Sequence, residues 1–282
     1  MTDPLGRRSF LARVAVPGLV AGLASRLEAF PHLEPFAPAQ DAPDAAVFAA
    51  ARREFLIPDG VAYCNTGTLG ASPREVMDAL VGGLTKLERE LAAWPYEQAD
   101  GEPLTGYQPL TPFREAVGTF INATADEIAL TQNATMGMNF TCHGLDLAKG
   151  DEVVSTDQEH GGGISSWRLR SRRDGLVVKE LAILPALEGG PAAVVKLFAD
   201  AMTPRTRVLM VSHITSGFGI ALPVRELCAL ARERGALSIV DGAQAVGQIQ
   251  VDVRQLGCDA YAGSPHKWLL APKGTGFLFI RR

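Results

Sequence analysis

The sequence has few of the residues that build disulfide staples or metal cages. It holds four cysteines in 282 residues, Cys64, Cys142, Cys228 and Cys258. No two form a C-x-x-C pair and no Cys/His cluster has zinc-ligand spacing, so disulfide scaffolds and zinc modules are excluded and no metal site is expected. Cys142, Cys228 and Cys258 read as small buried hydrophobes. Basic charge is also short: 27 Lys and Arg face 31 Asp and Glu, a net charge of −4. Such a surface offers no field to hold a nucleic-acid backbone. No apolar run is long enough to span a bilayer, so no stable membrane span is expected. There is no G-x-G-x-x-G after the first strand and no G-x-x-x-x-G-K-[ST], which puts a generic nucleotide-binding domain last among the readings. Repeats and low-complexity tracts are missing too. What remains is 47% hydrophobic, with 29 glycines, enough for a full core and many tight turns.

The N-terminus differs from the rest. Arg7-Arg8-Ser9-Phe10-Leu11 precedes an uncharged apolar stretch, Val14 to Ala24. A charged start before a short apolar run is the layout of an export signal, and Ala37-Pro38-Ala39 offers a cleavage site before Gln40. Residues 1–40 are therefore expected to be a twin-arginine-type signal and linker, with a periplasmic or extracellular destination. A frayed amphipathic helix, and a cytoplasmic protein, is the other reading. Residues 41–75 form an N-terminal segment, and 76–282 a large domain.

Helical spacing runs from Ala45 to Phe55, and Val61 to Asn65 reads as a short strand. Pro73 to Leu91 reads as a long helix with Ser72 as N-cap. Residues 93–110 read as a loop over a site. From residue 112 strands alternate with helices. Strands are expected at Ile128–Thr131, Glu152–Ser155, Val177–Leu184, Arg207–Ser212, Leu237–Asp241, Ala260–Ala262 and Gly276–Ile280. This alternation predicts an α/β fold, a three-layer, doubly wound and mainly parallel sheet. Ligands of such sheets bind beyond the carboxyl ends of the strands.

The residues at those ends are polar and small. Asn133-Ala134-Thr135 opens a helix after the first strand, where free amides and a hydroxyl can take an anion. His160 follows the second strand. Ser212-His213-Ile214-Thr215-Ser216 follows the fourth, Asp241-Gly242-Ala243-Gln244 the fifth, and Gly263-Ser264-Pro265-His266-Lys267-Trp268 the sixth. An acid ending an apolar strand is costly unless it meets a cation. A Lys after a buried strand has a lowered pKa, and the neutral amine is a nucleophile. Taken singly, each is equally a cap, a turn residue or a surface charge. Taken in order, they supply a phosphate cradle, a ring-stacking group, an acid for a ring nitrogen and a Schiff-base amine, the parts of a pyridoxal-phosphate site.

On these residues, above all VDGAQAVGQ and SPHKW, the chain from about residue 45 resembles the class V, fold-type I pyridoxal-phosphate enzymes. That family includes isopenicillin-N epimerase-like proteins, cysteine desulfurases and kynureninase-like members. The resemblance implies that Lys267 forms the aldimine with pyridoxal 5'-phosphate and that Asp241 pairs with the pyridine nitrogen. It implies that Gln244 contacts the phenolic oxygen and that His160 stacks on the ring. Thr135, Ser264 and His266 would hold the phosphate, with the amide after Ala134 helping. Asn65 and Ser216 would line the substrate pocket. The substrate would be an amino acid and the assembly a homodimer.

The segment SHITSGFG favours an epimerase- or aminotransferase-like branch, whereas Gln244 is the desulfurase choice. The motifs are shared by epimerisation, transamination and desulfuration. Relatives of this kind continue into a small C-terminal domain carrying the Arg for the substrate carboxylate. The chain is accordingly expected to be truncated, and a non-catalytic remnant is the competing reading.

Overall fold

A computed structural model of the chain describes residues 44–90 and 110–282. The expected export signal and the expected loop at 93–109 lie outside the described residues. The chain divides into two compact units. Of the described residues, one unit holds 44–63, 71–90 and 110–112, and the other holds 64–70 and 113–282.

The first unit contains α1 (Asp44–Arg53) and α2 (Arg74–Glu90). They are tied by a bridge between Phe55 and Pro73 and by the Arg74 amide donating to Glu54 O at 2.6 Å. The strand expected at Val61–Asn65 is absent. The Val61 carbonyl accepts from the Arg52 guanidinium at 2.9 Å, and Val61 N donates to Pro58 O, so its backbone is satisfied locally rather than by a ladder. The long helix begins at Arg74, one residue after the expected Pro73.

The second unit is the α/β body. Its elements are α3 (Thr111–Ile121, from Phe113 on), β1 (Ile128–Thr131), α4 (Ala134–Gly144), β2 (Glu152–Thr156), α5 (Gly161–Asp174) and β3 (Val177–Leu181). Then follow α6 (Gly190–Ala201), β4 (Thr206–Ser212), α7 (Val224–Glu233), β5 (Leu237–Asp241), α8 (Val253–Leu256), β6 (Ala260–Gly263) and β7 (Gly276–Ile280). The third strand stops at Leu181 because Leu184-Pro185 starts a 3₁₀ turn. The seven strands form one sheet in the order β1-β7-β6-β5-β4-β2-β3. Every pairing from β6 through β5, β4 and β2 to β3 is parallel, and β7 runs antiparallel between β6 and β1.

The core confirms three layers. Along β4, Leu209 and Val211 join one buried cluster with Phe198 of α6 and Leu227 of α7. Val208 and Met210 join another with Met138 of α4 and Trp167 of α5. Alternation of side chains along a strand thus splits the core between the two faces. Because β1 to β6 share one direction, their carboxyl ends gather the expected site residues along one edge.

Candidate active site

A cavity of about 600 Å³ opens at those strand ends, lined wholly by the second unit. That is the size of a small-molecule site. Asn65, Ala134, Thr135, His160, Ser216, Asp241, Gln244, Ser264, His266 and Lys267 all line it. Every site residue expected from sequence is therefore brought together.

The anion end is built first. Asn133 caps α4, its Oδ1 accepting from Met136 N at 2.8 Å. The buried Ser264 hydroxyl oxygen accepts from Ala134 N at 2.9 Å. This joins the helix start to the loop after β6 and leaves the Ser264 hydroxyl hydrogen to donate. The buried His266 Nδ1 donates to Thr275 O at 2.8 Å, which turns Nε2 free of that bond. Thr135 is exposed at the cavity. Two glycines make the cradle possible. A Cβ on Gly276 would lie 2.4 Å from Asn133 N, and one on Gly162 would lie 2.2 Å from Thr135 Oγ1.

The reactive end follows. Asp241 is 5% exposed, and its Oδ1 accepts from Ala243 N at 2.9 Å. Burial pushes its carboxyl pKa up, while the Ala243 amide and the charges of Lys267 and His160 pull it down. Lys267 is half-buried, and burial pushes its amine pKa down against the pull of Asp241. A cation and an acid thus share one dry corner, each destabilised by burial and each the other's compensation. His160 caps α5, its Nδ1 accepting from Gly162 N at 3.0 Å. The helix begins at Gly161, where that cap satisfies one of its first amides.

The Lys267 backbone is held from below. Gly70 N donates to His266 O at 2.9 Å, and a Cβ on Gly70 would lie 1.9 Å from Lys267 O. Gln244 is engaged at both ends of its amide. Nε2 donates to Gly67 O at 2.9 Å, and Oε1 accepts from Trp268 Nε1 at 2.7 Å. One amide hydrogen remains to face a ligand. Asn65 Oδ1 accepts from Thr68 Oγ1 at 2.8 Å, and Ser216 is exposed at the rim.

The sequence assigns no role to several groups at or near the cavity, and Glu159 is not among the residues it points to at all. Glu159, beside His160, accepts from Ser212 Oγ at 2.6 Å, Ser212 N at 3.1 Å and Thr156 Oγ1 at 2.7 Å. Its only sequence signal is an acid next to a site histidine. Buried His213 and Tyr261 pair through Nδ1 and the phenol at 2.9 Å, with rings edge to face. Burial alone pushes the His213 pKa down to about 4, so the ring is neutral near pH 7. Cys64 is exposed and lines the cavity.

Known proteins share this architecture. The chain is 37% identical to the isopenicillin N epimerase of Amycolatopsis lactamdurans over 238 residues, 83% of this chain and 57% of that protein. It is 35% identical to a probable cysteine desulfurase of Methanothermobacter thermautotrophicus over 228 residues, 81% of this chain and 55% of that protein. The chain thus spans somewhat over half the length of these curated relatives. Among solved structures, a C-DES mutant with glycine covalently linked to its PLP cofactor superposes with a TM-score of 0.68 at 27% identity. That likeness covers 82% of this chain and 59% of the other. The sequence model of the aminotransferase class-V family matches residues 95–282, the stretch that carries the cradle, the acid and the lysine, and the chain belongs to that family.

Proposed function

We propose that the chain binds pyridoxal 5'-phosphate and belongs to an enzyme acting on an amino acid, in the epimerase- or aminotransferase-like branch. One observation carries the reading: Lys267 and Asp241 interact electrostatically in one cavity whose other end is the Ser264–Ala134 cradle. The donor set fits the cofactor. Ser264, Thr135 and His266 would hold its phosphate, Asp241 would face its ring nitrogen, His160 would lie on its ring and Lys267 would attach to its aldehyde carbon. The chemistry supplied by the bound cofactor is an electron sink for the pair left when a proton leaves the substrate α-carbon.

The protein's own groups do the rest. Burial holds the Lys267 amine towards its neutral form, which would suit it to take a proton from the substrate α-carbon. Asp241, whose pKa burial raises against the pull of the Ala243 amide and of the Lys267 and His160 charges, would face the ring nitrogen and favour positive charge there. Return of the proton to the α-carbon from the opposite face gives epimerisation. The likeness to isopenicillin N epimerase supports that branch. A desulfurase-like reading is favoured by Gln244, by the likeness to a probable cysteine desulfurase and by the exposed Cys64 at the cavity.

The test is reduction with borohydride after adding the cofactor, followed by peptide mapping. A pyridoxyl adduct on Lys267 is expected, and its absence overturns the reading. Chiral chromatography of amino-acid substrates then separates racemised from transaminated products, and sulfide release that disappears in C64S would favour the desulfurase alternative. We further propose that residues 1–40 direct export, on the strength of Arg7-Arg8 and the apolar stretch behind them. A reporter fused to residues 1–40 should be exported, and should stay inside when both arginines become lysine. The homodimer is proposed on the resemblance, and sedimentation of the purified chain tests it.

A further inference from the structure

Two groups near the site have no role in the reading above: Glu159 and the His213–Tyr261 pair. Glu159 has more built around it. It sits between the end of β2 and the start of α5, half-buried, with its carboxyl turned inward. Both carboxylate oxygens are used. Oε1 takes Thr156 Oγ1 and Ser212 N, and Oε2 takes Ser212 Oγ. Thr156 ends β2 and Ser212 ends β4. The register between these two strands is irregular at Glu152/Val153, and their paired positions extend only to Val154 and Leu209. Beyond that point the Glu159 carboxyl joins the two strand ends. Ser212 in turn stands opposite Asp241 in the β4–β5 register, and His213 N donates to Asp241 O at 2.8 Å. The residue after Glu159 is His160.

We propose that Glu159 is a positioning residue, its carboxyl clamping the ends of β2 and β4 so that His160 and Asp241 are held in place at the cavity. A loop carboxylate with no such task would be solvated. This one is withdrawn from water and met by three donors, an arrangement that a glutamine copies only in part, since its amide nitrogen cannot accept. The inference rests on the cofactor reading above.

The clamp also titrates. Burial pushes the Glu159 pKa up to about 7, against the Ser212 and Thr156 hydrogen bonds, with the Asp241 charge adding to the rise. The ionisable group acting on it is Asp241 on β5, with Asp157 and His160 its neighbours along the chain and His213 next to its partner Ser212. An acid whose folded pKa is raised costs nothing below its unfolded value near 4.5, destabilises progressively as pH rises towards about 7, and adds no further loss above that.

The test compares wild type, Glu159→Gln and Glu159→Ala in the full chain, with two readouts. The first is melting temperature without cofactor between about pH 5.5 and 8. The wild type should lose melting temperature from about pH 5.5 to about 7 and then level off, and E159Q should lose clearly less. The second is cofactor affinity from visible absorbance over the same range. Wild-type affinity should inflect near pH 7, E159Q should lack the inflection, and E159A should bind about tenfold more weakly. Wild-type melting and affinity profiles retained in E159Q, or wild-type affinity in E159A, overturn the inference alone. A wild-type chain that takes up no cofactor at all overturns the cofactor reading, and this inference with it.

Discussion

Ser264 and Ala134 are 130 residues apart in sequence and 2.9 Å apart across a hydrogen bond, the hydroxyl of one holding the first amide of α4 at the other. The bond fixes the helix start relative to the loop that carries Lys267. Ser264→Ala removes the acceptor and leaves that amide buried without it. A stability loss of about 1–2 kcal/mol is expected, with cofactor affinity down roughly tenfold. Chemical denaturation and absorbance titration measure the two, and an unchanged affinity would remove Ser264 from the phosphate cradle.

Gly162 admits no side chain while Thr135 keeps its present rotamer. Gly162→Ala should force the threonine hydroxyl to turn away, costing about 1–3 kcal/mol. Adding Thr135→Ala to it should restore most of the stability but not the cofactor affinity. That split between stability and affinity distinguishes a binding hydroxyl from a packing one.

Far from the site, Glu152 anchors the start of β2. Its side chain accepts from Lys179 at 2.7 Å, Thr203 at 2.7 Å, Arg205 at 3.0 Å and Thr206 at 3.1 Å. Burial disfavours the charge, but these hydrogen bonds together hold the pKa down to about 2. The stabilisation is full above the unfolded value near 4.5 and is lost as pH falls towards 2. Glu152→Ala should cost about 3 kcal/mol near pH 7 by stranding its partners. The penalty should shrink as melting curves are taken at lower pH.

Trp268→Phe keeps the ring bulk but deletes the donor to Gln244 Oε1. Gln244 is then held only by Gly67 O. Affinity for the cofactor should fall by a few fold, with about 1 kcal/mol of stability. Borohydride labelling of Lys267 should persist at saturating cofactor.

The strand-end chemistry was legible because strand and helix periods differ and because such sheets place ligands at one edge. That logic reached Asp241, Lys267, His160 and Ser264 without a contact map. It did not reach Glu159, whose serine partner lies 53 residues away. Nor could it explain Gly162 or Gly70, which read as loop glycines and turn out to be spaces that Thr135 and the Lys267 backbone require. Val61–Asn65 failed as a strand for the opposite reason. Its short apolar run is real, but Arg52 and Pro58 meet the Val61 backbone and no strand pairs with it among the described residues.

The pairing of β1 has a consequence for synthesis. Its ladder runs only to β7, so the strand leading into Asn133 finds its place in the sheet once Gly276–Ile280 has emerged. Closing so long a loop is entropically slow. On the ribosome, β2 to β5 can pair and cover themselves with helices well before that moment, while the cradle and the lysine loop stay apart. The edge bearing the candidate site is therefore the last part of this body to form, and uptake of the proposed cofactor should follow that step rather than precede it.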